Sequence, residues 1–144
     1  MHIKLLQNDD CFAVRQAARR ISQFYERYLS MTGVTPSQYS VLSVLDVNPG
    51  LTMVRLSDVL VVERTTLLRT LKPLLRAGFV AGRYERKAKR RRVFDLTEAG
   101  KGKLAQASVS WQAAQQDFER RVGFERAARM RAELFRIRDD ISQS

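Results

Sequence analysis

A dense group of basic side chains occupies residues 83–92, which read Arg-Tyr-Glu-Arg-Lys-Ala-Lys-Arg-Arg-Arg, with seven cations and one acid. Seven like charges this close together repel one another, so the arrangement favours an anionic partner. Guanidinium and ammonium groups bind phosphate through charge-assisted hydrogen bonds and need no covalent chemistry to do so. The run therefore predicts a binding site for a polyanion, although an isolated charge run can also be a solvated loop.

The charge of the whole chain supports the same partner. The chain has 144 residues, a formal net charge of +11 and a pI near 10.6. Its length suits one domain with a real hydrophobic core. Because the longest apolar runs are only a few residues long, nucleic acid is favoured over a membrane. The N-terminal sequence turns polar too early for a signal peptide, so we expect a cytoplasmic protein with no membrane partner.

Residues typical of catalysis and metal binding are scarce. Cys11 is the single cysteine and His2 the single histidine. This excludes an internal disulfide, a zinc-finger ligand set and a histidine-based catalytic triad. We predict a protein that is not an enzyme and that has no metal site and no cofactor.

The residues before the basic run form a helix-turn-helix pattern. Thr52 can cap a short helix ending near Leu60, and a second helix begins near Glu63 and runs to residues 77–78 (Ala-Gly). A leucine stripe predicts the core side of the second helix, at Leu67, Leu71, Leu74 and Leu75. The polar residues left on its other sides are candidates for DNA contact: Arg64, Thr65, Thr66, Arg69, Thr70 and Lys72.

Short apolar stretches flank the basic run at residues 79–81 and 93–96, and this pattern predicts a β-hairpin with a cationic tip. A helix-turn-helix followed by such a hairpin predicts a winged helix. In that fold the second helix enters the major groove and the wing reaches phosphates or the adjacent minor groove. Within the wing we expect Arg90 in the minor groove. The residues expected at phosphates are Arg86, Lys87, Lys89 and Arg91.

Helical patterns fill the rest of the chain. One follows the capping residues 8–10 and runs to Gly33, another opens at residues 35–38 (Thr-Pro-Ser-Gln), and two more follow Thr97 and Gly123. The predicted fold class is therefore mainly α with a small β-hairpin wing, a winged helix-turn-helix with N- and C-terminal dimerisation helices.

The expected organisation is a single domain over residues 1–144. Residues 36–100 form the DNA-binding lobe, and residues 9–33 and 101–141 form the flanking helices. The apolar faces of these flanking helices are too large for a small DNA-binding core to cover, so we predict a homodimer.

These segments, in this order and spacing, resemble the MarR (multiple-antibiotic-resistance regulator) family over nearly the whole chain. The resemblance implies a dimeric bacterial winged-helix transcription regulator, with a small-molecule effector pocket between the dimer helices and the DNA-binding lobe. The segments that carry it are residues 35–39 (Thr-Pro-Ser-Gln-Tyr), 56–60 (Leu-Ser-Asp-Val-Leu), 63–69 (Glu-Arg-Thr-Thr-Leu-Leu-Arg), 74–80 (Leu-Leu-Arg-Ala-Gly-Phe-Val), 90–92 (Arg-Arg-Arg) and 95–100 (Asp-Leu-Thr-Glu-Ala-Gly).

Two positions depart from the family pattern. The family usually has an aspartate just before the wing-tip arginine pair, where this chain has Ala88. The family commonly has a small hydroxyl residue where this chain has Leu68, which could contact a thymine methyl group. The preferred DNA site is therefore expected to differ from that of relatives.

Cys11 has two interpretations. It lies in the first turn of the first helix, where the backbone dipoles favour a thiolate, and Cys11, Phe12 and Tyr25 resemble the organic-hydroperoxide-responsive branch of the family. That resemblance implies redox sensing by Cys11 and Tyr25, but the position where a second tyrosine is expected is occupied by Pro36. The alternative, which the residue type favours, is a small buried hydrophobic side chain.

The function that accounts for all of these patterns is sequence-specific transcription regulation. We predict a homodimer that binds a pseudo-palindromic site in double-stranded DNA, favour a repressor, and expect a small-molecule or oxidant signal to release it. The alternative is a basic RNA-binding or ribosome-associated winged-helix protein, which explains the charge but not the surplus apolar helices.

Overall fold

The computed structural model describes residues 3–87 and 91–142. Within these residues the chain forms six helices and three short strands. In chain order they are α1 (Asp10–Leu29), α2 (Pro36–Val47), β1 (Leu51–Thr52), α3 (Met53–Leu60), α4 (Arg64–Arg76), β2 (Val80–Tyr84), β3 (Arg92–Leu96), α5 (Glu98–Val122) and α6 (Phe124–Ser142). The predicted fold class, mainly α with a hairpin wing, is confirmed. No helix in the described ranges is long and apolar enough to cross a bilayer.

Side-chain caps set the starts of α1 and α2. The Asp9 carboxylate accepts a hydrogen bond from the Phe12 amide at 2.8 Å and opens α1. Thr35 and Gln38 form a reciprocal capping box around Pro36, the first residue of α2. Each cap satisfies amides that have no partner inside the helix, so the predicted starts are also the observed ones.

The helix-turn-helix consists of α3 and α4. Thr52 caps α3, and Val61 ends it in a left-handed conformation with a φ of 53°. Leu67 and Leu71 on α4 are fully buried, and Leu74 is 3% exposed. The predicted fourth core residue, Leu75, is only partly buried and packs against the core from its edge.

The wing is the hairpin of β2 and β3, and β1 extends it to a three-stranded antiparallel sheet in the order β1-β3-β2. Val80, Val93 and Phe94 are buried, and Val80 and Phe94 belong to the main hydrophobic core. Sequence reasoning missed β1, because two residues are too few to show strand alternation.

The first turn of α5 lies directly on the base of the wing. Thr97 donates its backbone amide to the Phe79 carbonyl at 3.1 Å and its hydroxyl to the Gly78 carbonyl at 2.6 Å. Gly100 is buried there, and a β-carbon at this position would overlap the same Phe79 carbonyl. Only glycine allows α5 to approach the wing this closely.

The helices α1 and α5 pack side by side through aromatic rings and one polar contact. The Tyr28 hydroxyl donates a hydrogen bond of 2.6 Å to the Asp117 carboxylate. This hydrogen bond, together with those from Arg121 and Arg120, lowers the pKa of Asp117 against the opposing effect of burial. Ionised Asp117 therefore contributes to holding α1 on α5.

We expect Gly100→Ala to lower the free energy of unfolding by about 1–3 kcal/mol, because the added methyl group must displace backbone. Gly102→Ala is the matched control, since a β-carbon at Gly102, in the same helix, meets no atom within 4 Å. The control should gain up to about 1 kcal/mol from helix propensity. Urea unfolding measures both, and equal stability of the two variants would contradict the close approach.

The stability of the wild type should fall in acid more steeply than that of Asp117→Asn. The pKa of Asp117 is depressed in the folded chain. The ionised Asp117 carboxylate therefore contributes its full share to the free energy of unfolding above about pH 4, and this share is lost as the pH falls through the folded pKa. Urea midpoints measured between neutral and acid pH test this, with Asp46→Asn, at an exposed position of α2, as control. Parallel curves for wild type and Asp117→Asn would show that the contact adds no stability.

Candidate nucleic-acid interface

Burial on α4 defines which of its side chains face outward. Leu67, Leu71 and Leu74 point into the core. Because successive helical residues are turned by about 100°, the side directly opposite carries Thr65, Arg69 and Lys72. All three are exposed. This outward face of α4 is available to the edges of bases in a major groove.

Thr66 and Thr70 lie on a different side of α4, toward α2. They line a cleft of about 130 Å³ together with Ser37 and Ser40. Thr70 is half-buried and donates its hydroxyl to the Thr66 carbonyl at 3.2 Å. Thr66 and Thr70, which the sequence predicted as DNA contacts, therefore lie on a different side of α4 from Thr65 and Arg69. The hydroxyl of Thr70 is also already hydrogen-bonded within its own helix.

An open groove lies on the opposite side of α4, between the helix-turn-helix and the wing. We call it the arginine groove; its volume is about 780 Å³, and four arginines line it, namely Arg55, Arg64, Arg91 and Arg92. Arg55 comes from α3 and Arg64 from the start of α4, and Arg91 and Arg92 lie at the start of β3. Such a concave surface of one charge attracts the phosphate backbone of a nucleic acid.

Sequence reasoning identified two members of the arginine groove, Arg64 and Arg91, and missed the other two. Arg55 stands alone among apolar residues in the sequence, and only the packing of α3 beside α4 brings it to the others. Arg92 belongs to the basic run, but its position depends on the hairpin register, in which Arg92 pairs with Tyr84.

The wing cations differ in what they contact. Arg83 forms an ion pair of 2.6 Å with Asp95 at the base of the hairpin. The Arg92 guanidinium lies 5.3 Å from the centre of the Phe94 ring and covers Gly82, where a β-carbon would overlap it. Both side chains are therefore positioned by the sheet itself.

The tip of the wing begins at Glu85, whose amide donates to the Arg91 carbonyl at 2.9 Å and whose carboxylate lies 4.0 Å from the Arg91 guanidinium. Arg86 and Lys87 are exposed beyond this point. The expected minor-groove residue Arg90, the expected phosphate contact Lys89, and Ala88 lie outside the described residues.

Cys11 is exposed in the first turn of α1, so no other described part of the single chain buries it. Tyr25 is fourteen residues further along the same helix. At 1.5 Å per residue the two are separated by about 21 Å, so they cannot share a hydrogen bond within one chain.

Tyr25 instead belongs to an aromatic junction of three rings, which we define as Tyr25, Trp111 and Tyr39. The ring centre of Trp111 in α5 lies 4.2 Å from the ring centre of Tyr39 in α2, and the two rings are nearly parallel, at 13°. The ring centre of Tyr25 in α1 lies 4.5 Å from that of Trp111. The hydroxyl oxygens of Tyr39 and Ser108 are 3.1 Å apart. These rings occupy the region between the long helices and the DNA-binding lobe where the resemblance implied an effector pocket.

Among residues 3–87 and 91–142 no cluster of three or more histidine, cysteine or acidic side chains is arranged to hold a metal ion. The chemistry that the described surface supports is recognition of an anion by arginine, lysine and hydroxyl groups.

Comparison with known proteins gives a consistent result. The sequence model of the MarR family matches residues 32–92. A candidate transcriptional regulatory protein for the hcr operon of Thauera aromatica is 28% identical over 117 residues, which are 81% of this chain and 66% of that protein.

Solved structures extend the similarity to nearly the full length. The transcriptional regulator MosR of M. tuberculosis, in complex with DNA, is 32% identical and covers 93% of this chain and 98% of its own, with a TM-score of 0.78. The transcriptional repressor CouR, bound to a 23-mer DNA duplex, has the same fold with a TM-score of 0.85 at 23% identity, over 95% of this chain and 99% of its own. The chain therefore belongs to the MarR family of DNA-binding transcriptional regulators.

Proposed function

We propose that this regulator is a repressor that binds a pseudo-palindromic duplex as a homodimer and releases it when a signal arrives. The observation that carries the proposal is that the outward face of α4 and the arginine groove lie next to each other. The outward face of α4 can read bases while the adjacent arginine groove accepts the backbone that borders the same major groove.

The two surfaces would contribute differently to binding. Arg55, Arg64, Arg91 and Arg92 would contact phosphates, which position the protein but carry no base sequence. Thr65 and Arg69 would approach base edges, with arginine suited to the paired acceptors of guanine. Arg86, Lys87, Lys89 and Arg90 would extend the contact along the DNA through the wing.

The homodimer is supported by apolar side chains that the single chain leaves in water. On α6, Leu134 is 45% exposed, Phe135 53%, Ile137 46% and Ile141 76%. Ile3 near the N-terminus is 74% exposed. A second copy would cover them, so we assign residues 9–33 and 101–141 to dimerisation and 36–100 to DNA binding. Two α4 helices would then lie roughly 34 Å apart, one turn of DNA.

The dimer would repress transcription while it is bound to its operator. A small molecule or an oxidant would release it from the DNA and so end repression. CouR, which shares the fold, is itself a transcriptional repressor. Exposure of Cys11 is compatible with attack by an oxidant. Because α1 keeps Cys11 about 21 Å from Tyr25 of its own chain, a Tyr25 that holds the thiolate would have to come from the partner subunit.

Substitution of Arg55 should affect binding to the DNA backbone, whereas substitution of Arg69 should affect recognition of the bases. Arg55→Gln should weaken cognate and random DNA alike and reduce the slope of log K against log salt by about 1. Arg69→Gln should weaken cognate DNA by about 1–3 kcal/mol and change random DNA much less. Fluorescence anisotropy over a salt series measures both effects, with the cognate duplex selected from genomic fragments.

Arg129→Gln, on the exposed surface of α6, is the control and should leave both the affinity and the slope unchanged. An unchanged salt slope for Arg55→Gln would remove the arginine groove from the interface. Tighter binding of the wild type to RNA hairpins than to any duplex DNA would contradict the proposed function as a whole.

Charge introduced on the outer face of α6 should disrupt the dimer and, with it, specific binding. Ile137→Glu combined with Ile141→Glu would place two carboxylates in an apolar interface without partners, where each costs several kcal/mol. Sedimentation equilibrium should show monomers, and footprinting should lose its two symmetric half-sites. Val47→Glu, at a 74% exposed position of α2, is the matched control and should remain dimeric. A dimeric double variant would refute this interface.

A further inference from the structure

One leucine of α4 lies outside the core stripe of that helix. All of α4 is within the described residues, and four of its leucines pack in or against the core, namely Leu67, Leu71, Leu74 and Leu75. Leu68 is instead 38% exposed. A single exposed leucine is ordinary on a protein surface, so its place on the helix decides what it can do.

Leu68 lies between the two surfaces that we assign to DNA. Residues three and four apart are neighbours on the surface of a helix. Leu68 therefore adjoins Thr65 on the outward face of α4 and Arg64 in the lining of the arginine groove. At about 100° per residue, its side chain is turned about 60° from that of Thr65, toward Arg64. This is the boundary between the base-reading face and the phosphate-binding groove.

The border of a major groove offers one apolar group to such a side chain. Across each base pair the hydrogen-bonding groups lie toward the middle, and the pyrimidine C5 position lies nearest the backbone of its own strand. Thymine carries a methyl group at C5, and cytosine carries only hydrogen there unless it is methylated. Because Leu68 lies beside an arginine assigned to phosphate, C5 is the base atom that it would meet first.

The chemistry of Leu68 also favours a methyl group. Leucine has no hydrogen-bonding group, so it cannot recognise the donors and acceptors of a base. It can only remove apolar surface from water, which is worth about fourfold in affinity for each methyl group covered. A polar base edge placed against Leu68 would lose water without gaining a partner. The side chain therefore attracts a methylated pyrimidine and disfavours a bare polar edge.

We propose that Leu68 recognises the C5 methyl group of one pyrimidine in each half of the operator. The regulator then distinguishes 5-methylcytosine from cytosine as it distinguishes thymine from uracil. Methylation of an operator cytosine at this position would strengthen binding. Methyl recognition rests on the proposed function, because it requires α4 to enter the major groove of a symmetric site.

Thr65 is the other side chain of this region that could contact a methyl group of DNA. It is exposed on the outward face of α4 and carries a methyl group beside its hydroxyl. Thr65→Ser removes that methyl group and keeps the hydroxyl. It is therefore the matched control for a change at Leu68.

Replacement of each operator thymine by uracil, one at a time, removes a methyl group and leaves base pairing unchanged. In the full-length protein, one position in each half-site should weaken binding about threefold to fivefold, and both together about tenfold to twentyfold. The operator is selected from genomic fragments, and fluorescence anisotropy gives the affinities. If no thymine responds, methylation of each operator cytosine in turn should strengthen binding at one position by the same factor. No response of either kind would overturn the proposal.

Variants at position 68 assign the methyl contact to its side chain. Leu68→Ser should bind the methylated and unmethylated bases of the responding position equally, and the exposed position should leave the fold intact. Leu68→Met keeps an apolar side chain and should retain the difference, as should Thr65→Ser. Leu68→Ala gives the same comparison if Leu68→Ser loses all specific binding. A difference that persists without Leu68, or that vanishes in Thr65→Ser, would overturn the assignment.

Cytosine methylation separates recognition of the methyl group from recognition of thymine as a base. A cytosine, with guanine opposite, is placed at the responding position, and the methylated and unmethylated duplexes are compared with each other. The wild type should bind the 5-methylcytosine duplex about threefold to fivefold more tightly, and Leu68→Ser should bind both equally. Equal binding by the wild type would overturn the proposal. Failure of the wild type to prefer any duplex over random DNA would instead contradict the proposed function.

Discussion

The contact between the start of α5 and the base of the wing is the constraint on which the arrangement of this molecule depends. Thr97 and Gly100 place α5 directly on the carbonyls of residues 78 and 79. Residues 78 and 79 lie between the end of α4 at Arg76 and the start of β2 at Val80. This close approach therefore helps to fix α4, the wing and α5 relative to one another. Arg64 at the start of α4 and Arg92 in β3 both line the arginine groove, so the groove depends on how these two elements are placed.

Local chemistry made much of this architecture predictable. The Thr35 capping box, the Asp9 cap and the Thr52 cap each satisfy amides within a few residues, so their effects can be read from short segments. The hairpin was equally clear, because apolar stretches flank a polar tip. The two-residue strand β1 has no local signal of its own and exists only because β3 supplies its hydrogen bonds.

The candidate site was predictable only in part, because its composition depends on contacts between distant segments. A helical pattern shows that Thr65, Thr66 and Thr70 are polar, but only the packing of α2 shows that Thr66 and Thr70 face that helix. Arg55 has no neighbour in sequence that marks it as part of a basic surface. The aromatic junction joins three helices separated along the chain, and no spacing rule connects Tyr25, Tyr39 and Trp111.

The separation of fourteen positions between Cys11 and Tyr25 has a consequence for any thiol-based response. A straight α1 keeps the two side chains about 21 Å apart, so one molecule cannot contain the complete thiolate site. Such a site would come into being only on association and would disappear on dilution. Sensitivity to oxidant would then follow the fraction of protein that is paired, and a poorly expressed regulator would respond less per molecule than an abundant one.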